Sequence, residues 1–95
     1  MTTKHTQGPW NAKDNSWDFS TVYGPNGQAV ALCKISDDVT EETQDTLEPI
    51  KEANARLIAA APDLLEACIA IANGYKHKGE EIARAAIAKA TGEQA

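Results

Sequence analysis

Large side chains are scarce in this sequence: one Phe, two Tyr, two Trp and one Met among 95 residues, with Tyr75 the only aromatic beyond the first quarter. A chain this short buries only about 60–70% of the surface its unfolded form exposes. Its core is therefore expected to be modest, and self-association is one way to make up the shortfall. No apolar run approaches the roughly 18–20 residues that a bilayer-spanning helix needs, and the opening MTTKHTQGPW lacks the apolar segment of a secretory signal. A cytoplasmic protein with no membrane contact is expected. Cys33 and Cys68 stand far apart with no CxxC and no neighbouring His, which argues against a metal site or a disulfide and predicts two reduced, buried thiols.

Basic clusters are also lacking. The net charge is −5, and six acids (Asp37, Asp38, Glu41, Glu42, Asp45, Glu48) share one stretch without a base, leaving nine bases against eight acids elsewhere. Binding to nucleic acid by phosphate neutralisation needs clustered Lys and Arg and is not expected. The spacing of these acids is too irregular for a calcium loop, and the Gly such a loop needs at its sixth position is missing. Neither His5 nor His77 has a Ser or Cys signature around it, and Gly24 to Gly27 lack the Lys-Ser/Thr of a phosphate loop. No catalytic residue, metal or cofactor is predicted, and the chain is not expected to be an enzyme.

Local signals point to an α+β fold within one domain over residues 1–95: a β part over 9–35, an acidic connector over 36–46 and a helical part over 47–92. Pro9, without an amide donor, suits a sheet edge, with a first short strand over 9–13. Trp17, Phe19, Thr21 and Tyr23 alternate and share one face. Gly24-Pro25-Asn26-Gly27 fits a tight turn, and a second strand is expected over 28–35. A hairpin or a three-stranded meander results, and because an isolated hairpin is marginal in water its aromatic face is expected to pack on the helices.

Residues 52–72 carry the strongest periodicity. Ala53, Leu57, Ile58, Ala61, Leu64, Leu65, Cys68, Ile71 and Ala72 recur at helical spacing, a stripe expected to be buried. The helix should start near Leu47 with Thr46 as cap and Pro49 in its first turn. Glu52 and Arg56 form a favourable i, i+4 pair. Pro62 should break or strongly kink the segment. Asn73-Gly74 should close it, Lys76 to Lys78 form a basic loop, and a last helix run over 80–91 to Gly92.

Two kinds of binding surface follow. Trp10, Trp17 and Tyr23 offer aromatic faces for stacking, Asn54 and Arg56 offer donors to an anion, and Lys76, His77 and Lys78 form a second small anion-binding cluster. Asp37, Asp38, Glu41 and Glu42 are candidates for a protein contact. The bland alternative is that the aromatics are core, that Arg56 pairs with Glu52 and that the acids are a solvated loop.

Three segments also resemble a family of small bacteriophage and prophage accessory proteins. Residues 5–10, HTQGPW, are similar to its HTPGPW opening; residues 53–67, ANARLIAAAPDLLEA, to its NARLIAAAPELLEAL core; and residues 86–93, AIAKATGE, to its ending. Gln7 stands where the family has Pro, and Cys68 where it has Leu. The resemblance implies a non-virion protein acting on the host, and among such proteins antagonists of host defence are frequent. The expectation is a non-catalytic, homo-oligomeric binding protein that sequesters a nucleotide signal or blocks a host defence protein. The alternative is a ligand-free structural or regulatory oligomerisation module.

Overall fold

The computed structural model describes residues 4–35 and 40–92. Its elements run β1 (Asn11–Asp14), β2 (Phe19–Tyr23), β3 (Ala29–Lys34), α1 (Glu41–Ala59), α2 (Ala61–Ala72) and α3 (Lys76–Thr91). The strands form an antiparallel sheet in the order β1-β2-β3. The fold is thus α+β, and of the two expected versions it is the three-stranded meander. The β2–β3 turn closes as its residues dictate: the Gly27 amide donates to the Gly24 carbonyl at 3.1 Å, and Gly27 takes the φ of 78° that a side chain would resist. Val22 pairs with Ala31 and Tyr23 with Ala29, so Val30 is an extra residue that bends β3.

The sheet lies on α1 by the face opposite to the one expected. Val22 and Cys33 pack with Ala55 and Ala59, and Trp10, Ala31 and Ile58 lean on that cluster. Successive strand residues alternate in direction, so Phe19, Thr21 and Tyr23 share a face that turns away from α1. The reason is size. Ala55 and Ala59 let the helix sit close to the sheet, where Ser20 and Val22 fit and where Phe or Tyr would hold it off.

The helices begin earlier than their sequence suggests. α1 starts at Glu41, capped by Thr40, whose amide donates to the Thr43 hydroxyl at 2.9 Å. Thr46 is therefore not the cap, and much of the expected connector is helix. Glu42 and Asp45 lie near its N-terminus, where negative charge is favoured. Pro49 falls inside α1 and not in its first turn, at an exposed position. α3 likewise starts at Lys76: the Gly79 amide donates to the Tyr75 carbonyl at 2.8 Å. Lys76, His77 and Lys78 form a helical turn and not a loop.

Of the break and the strong kink that Pro62 allowed, the structure has the break, with Ala60 as the joint and Pro62 in the first turn of α2. Helical bonding continues to either side: Ala60 donates to the Arg56 carbonyl at 3.1 Å and Leu64 to the Ala60 carbonyl at 3.0 Å. The apolar phase of α1 therefore passes into α2. Gly74 and Gly92, with φ of 88° and 77°, stop α2 and α3. α3 returns antiparallel along α2. Gly79 lies against Ile71 and Ala67, while at the other end Lys89 pairs with Asp63 at 3.3 Å.

The stripe expected to be buried is mostly open. Ile58 and Leu64 are half-buried, but Ala53, Leu57, Ala61, Leu65, Cys68, Ile71 and Ala72 are exposed. What α1 and α2 bury instead is Ala55, Ala59, Ala60 and Ala67. Of the two thiols only Cys33 is buried; Cys68 is exposed. The Cα radius of gyration, 15.1 Å, exceeds the roughly 12 Å of a compact chain of this length. Among the described residues no helix is long and apolar enough to cross a membrane.

Candidate functional site

Three places on the structure are candidate sites, and the predicted residues are not gathered in any one of them. Trp10 lies on the α1 side of the sheet, packed on the core cluster, with its indole N–H donating to the Thr6 carbonyl at 3.1 Å. The His5 ring stands edge-on to it, centroids 6.3 Å apart. Tyr23 is on the opposite face of the sheet, and Trp17 is exposed in the β1–β2 turn. The three aromatics do not form one platform. Asn54 is exposed on α1, and Lys76, His77 and Lys78 are exposed at the start of α3. Of the acidic candidates, Glu41 and Glu42 open α1, whereas Asp37 and Asp38 lie outside the described residues.

Arg56 does not pair with Glu52. Its guanidinium lies against Gly92, beyond the last turn of α3, where the negative end of that helix favours a cation. Among the described residues its buried Nε has no acceptor. Arg56 and Glu52 both line a groove of about 360 Å³ with Ala12, Lys13, Asp14, Ser20 and Ala55.

Beside that groove sits a residue that the periodicity did not single out. Lys51 is 2% exposed, and its ammonium donates to Asp14 Oδ1 at 2.9 Å, to the Ser16 carbonyl and to the Trp17 carbonyl at 3.3 Å. Three N–H groups meet three acceptors, and α1 is thereby pinned to the β1–β2 turn. The signal was present: stepping back four and seven residues from Ala55 and Ile58 along the buried face of α1 lands on Lys51. The carboxylates of Asp14, Glu48 and Glu52 gather at the same place, with ligand atoms within 4.8 Å of one another. The Lys51 ammonium supplies positive charge there. Its hydrogen bond holds the Asp14 carboxyl below the usual carboxylate range. The hydrogen bond to Asp14, and after it partial burial, push Glu52 up. Burial also raises the Cys33 thiol, which makes it a poor nucleophile.

A second cleft of about 360 Å³ lies between the opening segment and α2, with Pro9, Pro62, Leu65 and Ile69 as its apolar part and His5, Asp63 and Glu66 as its polar part. Gly8 closes one end; a Cβ there would stand 2.8 Å from Pro62 Cβ. The segment similar to HTPGPW therefore packs directly on the Pro of the helical core.

The third place is the open face of the sheet. Phe19 and Tyr23 are half-buried, Leu32 is 57% exposed, and Lys13 and Lys34 stand at register positions on the same side. Thr21 is buried at the centre, flanked by Lys13 and Leu32 as cross-strand neighbours. Aromatic and aliphatic side chains rimmed by cations, on a sheet face that no described helix covers, have the composition of a protein-contact surface.

The molecule is thus a small α+β protein, and its sequence places it in a phage protein family. That family is the one described as Salmonella phage P22 protein Y8K6; it matches residues 1–94, and the chain belongs to it. No curated protein and no solved structure matches the chain.

Proposed function

We propose that the protein is a non-catalytic accessory factor, carried by a phage or prophage, that counters a host defence system in the bacterial cytoplasm by binding a host protein on the open face of its sheet. One observation carries this reading: Phe19, Tyr23 and Leu32 turn away from a core that is itself short of large side chains. A chain with so few bulky residues gains most by burying them, at about 25 cal/mol per Å², and leaving them on the outer face favours a partner there. Membership of a phage family supports the setting. Sequestration of a nucleotide, the other form of the reading, draws less support. Stacking a base between Trp10 and Tyr23 would require residues that stand on opposite faces of the sheet.

The test is a paired one. Wild type and the Tyr23→Asp, Leu32→Asp double variant are expressed in host cells, captured by a tag and compared, with circular dichroism as the fold control. The expected result is a host protein held by wild type and lost with the variant, together with loss of protection for the infecting phage in a plaque assay. Equal capture and equal plaquing by a folded variant would sink the proposal. Nucleotide released by heat from the wild-type protein would favour sequestration instead.

A further inference from the structure

We infer that the exposed stripe on α1 and α2 is the interface of a two-fold dimer, formed by antiparallel packing of α1 and α2 on the same helices of a second copy. The stripe runs through Ile50, Ala53, Leu57, Ala61, Leu65, Cys68 and Ala72, in steps of three and four residues that keep one helical face outward. Its large members are well exposed, Ile50 at 51%, Leu57 at 55% and Leu65 at 41%, and none of the seven is charged. α2 is apolar almost all round, with Asp63 and Glu66 its only charges, and α3 covers one side of it. A helix apolar on every side requires cover on the other.

The order of side chains says what the cover is. Read outward from Ala61, the stripe is symmetric at its centre. Leu57 and Leu65 stand four residues to either side, and Ile50 and Ala72 stand eleven to either side. A two-fold axis at Ala61 sets Leu57 against Leu65 of the second copy, Ile50 against its Ala72, Ala53 against the half-buried Ile69 and Cys68 against the exposed Asn54. Ala61 then meets itself, with no side chain large enough to hold the helices apart. An isologous contact demands this self-complementarity, whereas a different protein would not. The joint at Ala60 falls at the same centre, so the axis relates one bend to the other. Residues 50–72 span about 34 Å of helix, the length over which the two copies would lie side by side. No part of the open sheet face enters this contact, so the inference does not rest on the proposed function.

Leu57 and Leu65 lie outside the buried core cluster, so charged substitutions there test pairing, although Leu65 also lines the cleft beside the opening segment. Sedimentation equilibrium of wild type is expected to give twice the 10.2 kDa chain mass. Leu57→Lys alone and Leu65→Glu alone should each give one chain mass with unchanged helicity by circular dichroism. Both substitutions in one chain should restore the dimer, since 57 faces 65 across the axis. Ala61→Cys in a Cys68→Ser background should form a disulfide to its own copy on mild oxidation, Cys33 being buried. A wild type of one chain mass at high concentration, or single variants that stay at two, would overturn the dimer. Failure of the double variant to restore it would overturn the antiparallel axis. Tyr23→Asp with Leu32→Asp should leave the mass at two chains, which separates this result from the fate of the proposed function.

Discussion

Lys51 ties α1 to the β1–β2 turn. Its aliphatic stem fills space under the sheet, and its ammonium satisfies two turn carbonyls and one carboxylate. Replacing it with Met keeps the stem and strands those acceptors. Asp14 is half exposed and can rehydrate, so Lys51→Met is expected to cost about 2–3 kcal/mol, less than the roughly 3–5 kcal/mol of a fully buried pair. Urea denaturation reads it. Glu52, beside the same cluster, makes a prediction in pH. Its folded pKa is raised from 4.5, so the folded state holds a proton that the unfolded state has released. That contribution is present below about pH 4.5 and is lost as pH rises through the folded value. Asp14, held below 3.8, acts in the opposite sense and loses its contribution only as pH falls through its folded value. Glu52→Gln should therefore raise the melting temperature relative to wild type at pH 7 and not at pH 4. An equal effect at both would disprove the coupling.

At the scale of elements, Gly79 decides how closely α2 and α3 approach. A Cβ there would overlap Ile71 Cγ1 and stand 3.1 Å from the Ala67 carbonyl oxygen. Ala is the better helix former by about 1 kcal/mol, but overpacking costs about 1–3 kcal/mol. The backbone oxygen cannot move aside without parting the helices. Gly79→Ala should thus lower stability by up to about 2 kcal/mol, with a lower melting temperature; a rise would show that the helices slide freely. Elements whose ends rest on local chemistry were legible in the sequence: the Gly24 to Gly27 turn, the break before Pro62, and the stops at Gly74 and Gly92. Starts were less so. The acids from Glu41 onward look like a solvated linker because they carry no apolar residue, although Thr40 followed by carboxylates is also a helix opening. Lys76 to Lys78 look like a loop because cations oppose the helix dipole. The face of β2 was misjudged for a different reason. Bulk argues that Phe19 and Tyr23 go inside, but the partner helix offers alanines, and only short side chains fit beneath it. Arg56 was legible as a site residue and Lys51 was not, because a charged side chain on a buried helical face is read as an interruption until the acceptors opposite it are known.

For the whole molecule, many of the larger side chains lie at the surface and the interior is left to small ones. In the proposed dimer the sheets lie on the far side of α1 from the axis, so two open faces would be presented outward by one particle. A bivalent binder of this kind gains avidity toward any target that is itself repeated. The alanine interior has one more consequence, in heat rather than in contacts. Unfolding raises the heat capacity in proportion to the apolar surface released, ordinarily about 12–15 cal/mol/K per residue. With Ala55, Ala59, Ala60, Ala67 and Ala86 making up most of the buried apolar residues, the single chain should fall below that range. Its stability would then change little between cold and warm conditions, a shallow curve that leaves the protein similarly folded across the temperatures at which its host grows.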